Sequence, residues 1–511
     1  RYLQRADHRL GVRIAQTPDG GLRFNPNTSE DLLIDDFGHV LRQVLPDHGT
    51  KTARYDAAGR IVDIASVDGS RTAYTYDAAG RLIRKDLFDA QGQTAEAVAL
   101  TYAGHTLASR SDGAQTSRFG YDAFGRKTQE AISLSGLDQV FTTHTRFDPD
   151  SGLVSARVLA DGRVLRIART DARHGATASS LRLQAAWAAA IEDWLSEHVA
   201  RGLGETVGRW LPDTTIADQI RIDPFDGLSA YTAGNGIVTR RSYDTAGRLT
   251  VLDIDGIDRT DYRYGNGPRI KSIDSPLLKA DYRYTGFGQL RPDPPNEPTP
   301  ARREARHPAN TAGTAVTRDA LGRTVEDARF RYTYTVSGQL DTVTDRTTRQ
   351  RVARYRYNSL GQRVAKTVIG QGRDTTTWTL WLDGKRVAEL DASGAIQTQY
   401  LYLSESKRTT PVARLDASAT YFIHTDHRGG PIAMTDKRKV IVWRATLTPW
   451  GLAMPQGAAS SPPAPTEAVV PLSHFGVEPL NLRLPGQYFD AETGLHDNWH
   501  RTYDPRTGRY L

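Results

Sequence analysis

Tyr55-Asp56-Ala57-Ala58-Gly59-Arg60 returns 21 residues later as Tyr76-Asp77-Ala78-Ala79-Gly80-Arg81. The unit recurs at 121–126, 243–248 and 357–362, and more loosely at 147–152, 264–267, 318–323 and 334–339. Several starts (55, 76, 102, 121, 147, then 243, 264, 284) lie 19 to 26 residues apart, so the chain is an array built from a block of about 20 residues. Asp suits the first position of a type I turn, because its side chain accepts a hydrogen bond from the backbone two residues on. Gly three positions later takes positive φ and forms the bulge of a short hairpin loop. Each unit is therefore a hairpin corner. The runs between corners, such as Arg71-Thr72-Ala73-Tyr74-Thr75-Tyr76 and Arg248-Leu249-Thr250-Val251-Leu252-Asp253-Ile254, place β-branched and aromatic residues at every second position. Twenty residues hold two strands of about six to eight residues and two turns, which predicts a long antiparallel meander with one hairpin per repeat.

Composition agrees with a shell more than with a ball. A chain of 511 residues would ordinarily divide into about three domains, but a repeat array needs only its neighbours to be stable. An apolar fraction of 38% and a mean hydropathy of −0.52 are low for this length, as a sheet with one half-wet face requires. The absence of Cys excludes disulfides, zinc-thiolate sites and thiol catalysis. No run of 18 or more apolar residues predicts a membrane span, and the start at Arg1, without Met or a signal-like segment, is expected of a piece of a larger protein. The net charge of +7 and pI near 9.4 admit a nucleic-acid groove. Against it, the Arg residues come about once per repeat with acidic residues interleaved, which fits stacking on Tyr and pairing with the turn Asp as mortar of the sheet.

Four segments interrupt the array. Residues 179–201, with Leu183, Trp187, Ile191, Trp194, Leu195 and Val199 at helical spacing, a cap at Ser179 or Ser180 and Gly202 beyond, predict one amphipathic helix that plugs or caps the sheet, or binds a partner. The Pro-rich stretches 292–308 and 455–471 read as linkers or loops, and 206–224 as irregular connection. The corresponding division is a β-shell over 1–170, a helical insertion or plug with its connection over 171–225, a second stretch of β-shell over 226–423, and a distinct C-terminal region with an end plug over 424–511. Enzyme signatures are scarce. His424-Thr425-Asp426-His427 sets two histidines three apart, a spacing seen in metal pairs, but no third ligand clusters with them and the flanks alternate like strands around Gly429-Gly430-Pro431. No nucleophile elbow, P-loop or dinucleotide fingerprint is present, so no metal and no cofactor is expected.

The tail settles a resemblance. Leu484-Pro485-Gly486-Gln487-Tyr488-Phe489-Asp490-Ala491-Glu492-Thr493-Gly494-Leu495-His496, followed by the stretch from Arg501 to Leu511, is two closely spaced repeat turns. Together with the Tyr-Asp repeats, the stretch 424–436 and the Trp450-Gly451 pair, it resembles the core of rearrangement hot spot (Rhs) proteins, also called YD-repeat proteins, and is similar to the cocoon subunit of insecticidal toxin complexes. The resemblance implies an all-β fold, an antiparallel sheet spiralled into a hollow cocoon that encloses a C-terminal toxin domain, with a tail plug closing one end. It implies aspartyl-type self-cleavage at an Asp-Pro-x-Gly-Leu motif that would lie beyond Leu511, where the sequence stops, so neither the cut nor a toxin domain is expected within this chain. Two carboxylates held close cannot both ionise, which leaves one as general acid and the other as base. The family's first such Asp matches Asp490. Where toxin-complex cocoons have Arg before it this chain has Phe489, which leaves charge stabilisation to another residue, with Arg501 and Arg509 as candidates. Asp490 reads equally as the turn residue of one more repeat. The partners implied are the chain's own toxin domain, a type VI or similar secretion machine or delivery module, and an immunity protein, with neither nucleic acid nor membrane engaged by the shell. The protein would be made in the bacterial cytoplasm and injected into a target cell. The alternative reading is a cell-surface adhesion or carbohydrate-binding YD-repeat protein. Animal relatives of that kind are disulfide-rich outside their repeats and carry a membrane span, whereas this chain has neither Cys nor a span.

Overall fold

A computed structural model describes residues 14–16, 22–24, 31–35, 37–45, 49–169, 178–188, 191, 213–223, 228–265, 267–276, 278–284, 316–370, 372–405, 408–454 and 479–511. Each Tyr-Asp unit is a hairpin corner, as the spacing predicts. At the first, Asp56 Oδ1 accepts the backbone N–H groups of Ala58 and Arg60 at 3.0 and 2.9 Å, while Gly59 closes the loop at φ +75°. The charged side chains then join one repeat to the next. Arg60 Nε donates to Asp56 Oδ2 at 2.8 Å, and its guanidinium lies 4.6 Å from the ring centre of Tyr76 in the following repeat. The Tyr76 hydroxyl in turn reaches back 15 residues to the Ile61 carbonyl at 2.8 Å. The same linkage recurs at Asp77, Arg81 and Tyr102, and at Asp244, Arg248 and Tyr264. The repeat arginines are thus spent inside the wall.

Twenty-three strands, from Ile14–Gln16 to Lys279–Asp281, form one sheet, and thirteen more, from Thr317–Arg318 to Ile441–Arg444, form a second. Pairing is antiparallel throughout, between strands consecutive in sequence. The second sheet tracks the first in the same direction. Ser359 N donates to Asp112 Oδ2, Lys127 Nζ to Asp383 Oδ1, Asn235 Nδ2 to Thr435 Oγ1, and Arg444 Nη2 to the Ile257 carbonyl, at 2.7, 3.1, 2.9 and 2.6 Å. A sheet doubled back on itself would match rising numbers with falling ones. Here both rise together, with separations from 256 residues at Lys127 to 187 at Ile257, so the chain winds as a spiral of two laps. The seam between laps is apolar: Leu181, Ile216 and Tyr231 of the first share a core with Leu401, Val412 and Phe422 of the second.

The expected helical insertion over 171–225 is corrected at both ends. Ala178–Gln184 is a strand, with Leu181 opposite Ile167 on one side and Ala217 on the other, and Asp213–Ile222 is its partner rather than irregular connection. Leu181 and Leu183 face inward with Arg182 out, a period of two that a four-residue spacing to Trp187 also satisfies. The open edge of Val164–Arg169 decides between them by offering backbone hydrogen bonds. Residues 186–188 and Ile191 are helical, with Trp187 and Ile191 exposed. Trp194, Leu195, Val199 and the Pro-rich stretches 292–308 and 455–471 lie outside the described residues. Among the described residues no helix is long and apolar enough to cross a membrane.

The tail forms a four-stranded sheet, Gln487–Asp490, Leu495–Asn498, Arg501–Asp504 and Arg509–Tyr510. It lies against the second lap: Leu480 and Tyr488 pack with Ile423, Met434 and Trp443, and Leu495 with Phe330, Val343 and Tyr355.

Candidate functional site

The tail hairpin aims three groups at the second lap. Tyr488 stands opposite Asp497 in the strand register, and Asp490, two residues after Tyr488, shares its face. They meet basic side chains from Arg363–Val368 and Lys385–Leu390. Arg363 grips Asp490 with both terminal nitrogens, at 2.6 and 2.7 Å, and Lys366 Nζ reaches Asp490 Oδ1 at 3.1 Å and Glu492 Oε2 at 3.2 Å. Asp497 Oδ2 accepts from Arg386 Nη2 at 3.0 Å and lies 3.7 Å from Arg363 Nε. The Arg386 guanidinium also covers the Tyr488 ring at 4.0 Å, and the Tyr355 hydroxyl donates to Glu492 Oε1 at 3.1 Å. Three cations thus face three carboxylates, with Arg363, Asp490 and Asp497 only 2–3% exposed. Removing one partner from such a pair strands the other charge and costs about 3–5 kcal/mol.

The two aspartates end up shifted in opposite directions. Burial pushes the Asp490 carboxyl up, but Arg363 and Lys366 outweigh it and hold the group down at about 2. Asp497 rises above the usual carboxylate range, because burial there exceeds the pull of Arg363 and Arg386 and the Asp490 charge adds to it. A pair of carboxyls driven apart in this way is an acid–base arrangement, one member ionised and the other retaining its proton longest. Beside them His496 is buried, its Nδ1 2.8 Å from Gln487 Oε1, and desolvation with the Arg483 charge lowers it to about 3.

Arg501 and Arg509 stand elsewhere. Arg501 is exposed and stacks on Tyr510 at 3.9 Å, and Arg509 is exposed at the mouth of a separate cavity. The charge partners of Asp490 are Arg363 and Lys366, from a repeat 127 and 124 residues upstream, which the sequence reading did not single out. Asp497 was missed too. Its one signal is an acidic residue in the strand Leu495–Asn498, most of which is buried. Asp504 is a turn residue, its Oδ1 accepting from the backbone N–H of Arg506 at 2.9 Å. The two histidines diverge: His424 is buried with Nε2 at 2.9 Å from Thr435 Oγ1, and His427 sits edge-on to Tyr262 at 4.8 Å.

Two family models match. Residues 55–94 fit the RHS Repeat and residues 420–456 the RHS protein model. The chain is an RHS-repeat protein. Among curated RHS relatives, the Toxin protein Tse5 of Pseudomonas aeruginosa is 27% identical over 53% of this chain and 23% of its own length. The Double-stranded DNA deaminase toxin A of Burkholderia cenocepacia is 25% identical over 94% of this chain and 38% of its own. The chain therefore spans well under half of the relatives it matches. The crystal structure of TcdB2-TccC3 without its hypervariable C-terminal region superposes with a TM-score of 0.71 over 98% of this chain and 28% of that one, at 16% identity. The two-lap meander is thus the cocoon-like shell fold of the RHS proteins and toxin complexes.

Proposed function

We propose that this RHS chain is the wall of a container for a toxin domain of the same polypeptide, delivered by a type VI or similar secretion system. The observation that carries it is closure: the second lap runs beside the first in the same direction, and a tail sheet is fixed to that lap by six buried or half-buried charged groups. A cargo held inside such a wall is shielded from the producing cell. Coexpressed cargo should resist added protease while the wall is intact; equal digestion with and without residues 1–511 overturns the reading.

The tail pair supports self-cleavage of the longer chain as part of the same function. Hydrolysis needs a proton delivered to the departing amide nitrogen as water adds to the carbonyl carbon. Asp497, whose carboxyl is shifted upward while Asp490 is held down, is the better placed of the two to donate that proton. Asp490 stays ionised with both oxygens occupied, and its part is to hold the tail and the local field in place. Asp497→Asn keeps the side-chain shape but leaves Arg386 without its carboxylate, so the longer chain should melt lower than wild type and, at temperatures where it is still folded, run as one uncut band. Asp490→Asn should lose the cut and stability together, while Asp504→Asn should still cut. Complete cleavage in a stably folded Asp497→Asn shell removes Asp497 from the reaction, and complete cleavage in Asp490→Asn reduces that residue to a turn former.

A further inference from the structure

A cavity of about 720 Å³ opens where the end of the first lap meets the end of the second, far in sequence from the Asp490 cluster on the first-lap side. Its wall includes four aromatic residues, Tyr262, Tyr282, Tyr284 and Trp450, with aliphatic side chains such as Ile273 and Leu447 between them. Asp258 also lines it and is only 8% exposed. Asp258 Oδ2 accepts the Thr260 hydroxyl at 2.6 Å, whereas Oδ1 is buried without a hydrogen-bond partner, and among the described residues Asp258 makes no ion pair.

None of the neighbouring cations among the described residues forms a direct ion pair with Asp258. Arg428 pairs with Asp426 at 2.8 Å and donates to the Pro449 carbonyl at 2.8 Å. Arg444 acts on Asp258 through its charge without a direct ion pair: its Nη2 donates to the Ile257 carbonyl at 2.6 Å, and its Nε is buried without a hydrogen-bond partner. Arg509 is exposed at the mouth, where solvent screens it. A buried carboxyl with no direct ion pair is costly unless something pairs with it, and burial pushes Asp258 up, with Thr260, Arg444, Ser275 and the Arg259 backbone offsetting only part of that rise. Aromatic faces around it attract a cation and repel an anion.

We infer that this cavity is a binding site for an organic cation, an alkylguanidinium or alkylammonium of the kind an Arg or Lys side chain presents. Asp258 meets the charged head, and the tyrosines and Trp450 cover the alkyl stem. The inference stands on the cavity alone and does not require the container role.

The probes that test it are n-butylguanidinium and its neutral isostere n-butylurea, titrated against the intact chain by calorimetry. The guanidinium should bind at least tenfold more tightly. Asp258→Asn should abolish that preference, and Tyr282→Leu should weaken guanidinium binding several-fold with urea binding little changed. Equal binding of the two probes, binding of neither, or a preference that survives in Asp258→Asn overturns the assignment. Should Asp258→Asn fail to fold, the guanidinium–urea comparison and Tyr282→Leu decide it.

Discussion

At the scale of single residues, the tail region stores its ionisable groups in unequal states. His424 and His496 are both held near 3, below the 6.5 of an exposed imidazole, because burial removes the water that would solvate a cation. The folded protein keeps them neutral while an unfolded chain takes up protons as the pH falls below about 6.5. Their contribution is therefore complete above that value and is lost progressively down to about 3. Asp490, lowered from 3.8 to about 2, adds its loss only in that more acid window. Urea midpoints should consequently fall between pH 7 and pH 4, and replacing both histidines by Gln should flatten that slope. A slope unchanged in the double variant would place the acid sensitivity elsewhere.

At the scale of the hairpin, stability passes from repeat to repeat through Asp, Arg and Tyr. Gly80 sits at φ +80°, and a Cβ there would lie 3.1 Å from Arg60 Nη1, on the guanidinium that stacks over Tyr76. Gly80→Ala should cost about 1–2 kcal/mol from left-handed backbone strain alone, read as a shift in the denaturation midpoint, while the exposed-loop change Ala79→Ser should cost little. This level was legible in the sequence, since Asp, Gly and Tyr at fixed offsets each carry a local geometric requirement, and the sheet-mortar reading of the arginines describes what Arg60, Arg81 and Arg248 do. The reading failed at Ala178–Gln184, where the apolar spacing fits two periods and a neighbouring strand edge chose between them. It failed again at the Asp490 cluster for a different reason. Arg363 and Lys366 sit in an ordinary repeat strand, and nothing local to residue 363 points to a carboxylate 127 positions away.

At the scale of the whole molecule, the seam between laps accounts for a large particle with little deep core. Turns and strand ends of one lap meet those of the other through polar contacts such as Asp112 with Ser359 and Asp161 with Gln399, while Leu165, Tyr231, Leu401 and Phe422 fill the space behind them. Small-angle scattering should show a compact hollow particle, with a maximum in its distance distribution displaced beyond that of a solid sphere of the same mass. A rod-like profile would mean that the laps do not associate in solution.

The same seam sets a clock on biosynthesis. Residue 359 must leave the ribosome before Asp112 has its partner, 247 residues later. At roughly 5–20 residues per second the first lap waits about 10–50 s with its border unclaimed. Throughout that interval the apolar side chains that the second lap will cover, Leu165, Leu181 and Tyr231 among them, face solvent, so crowding by sibling ribosomes on one message, or a pause within the first lap, becomes a determinant of yield.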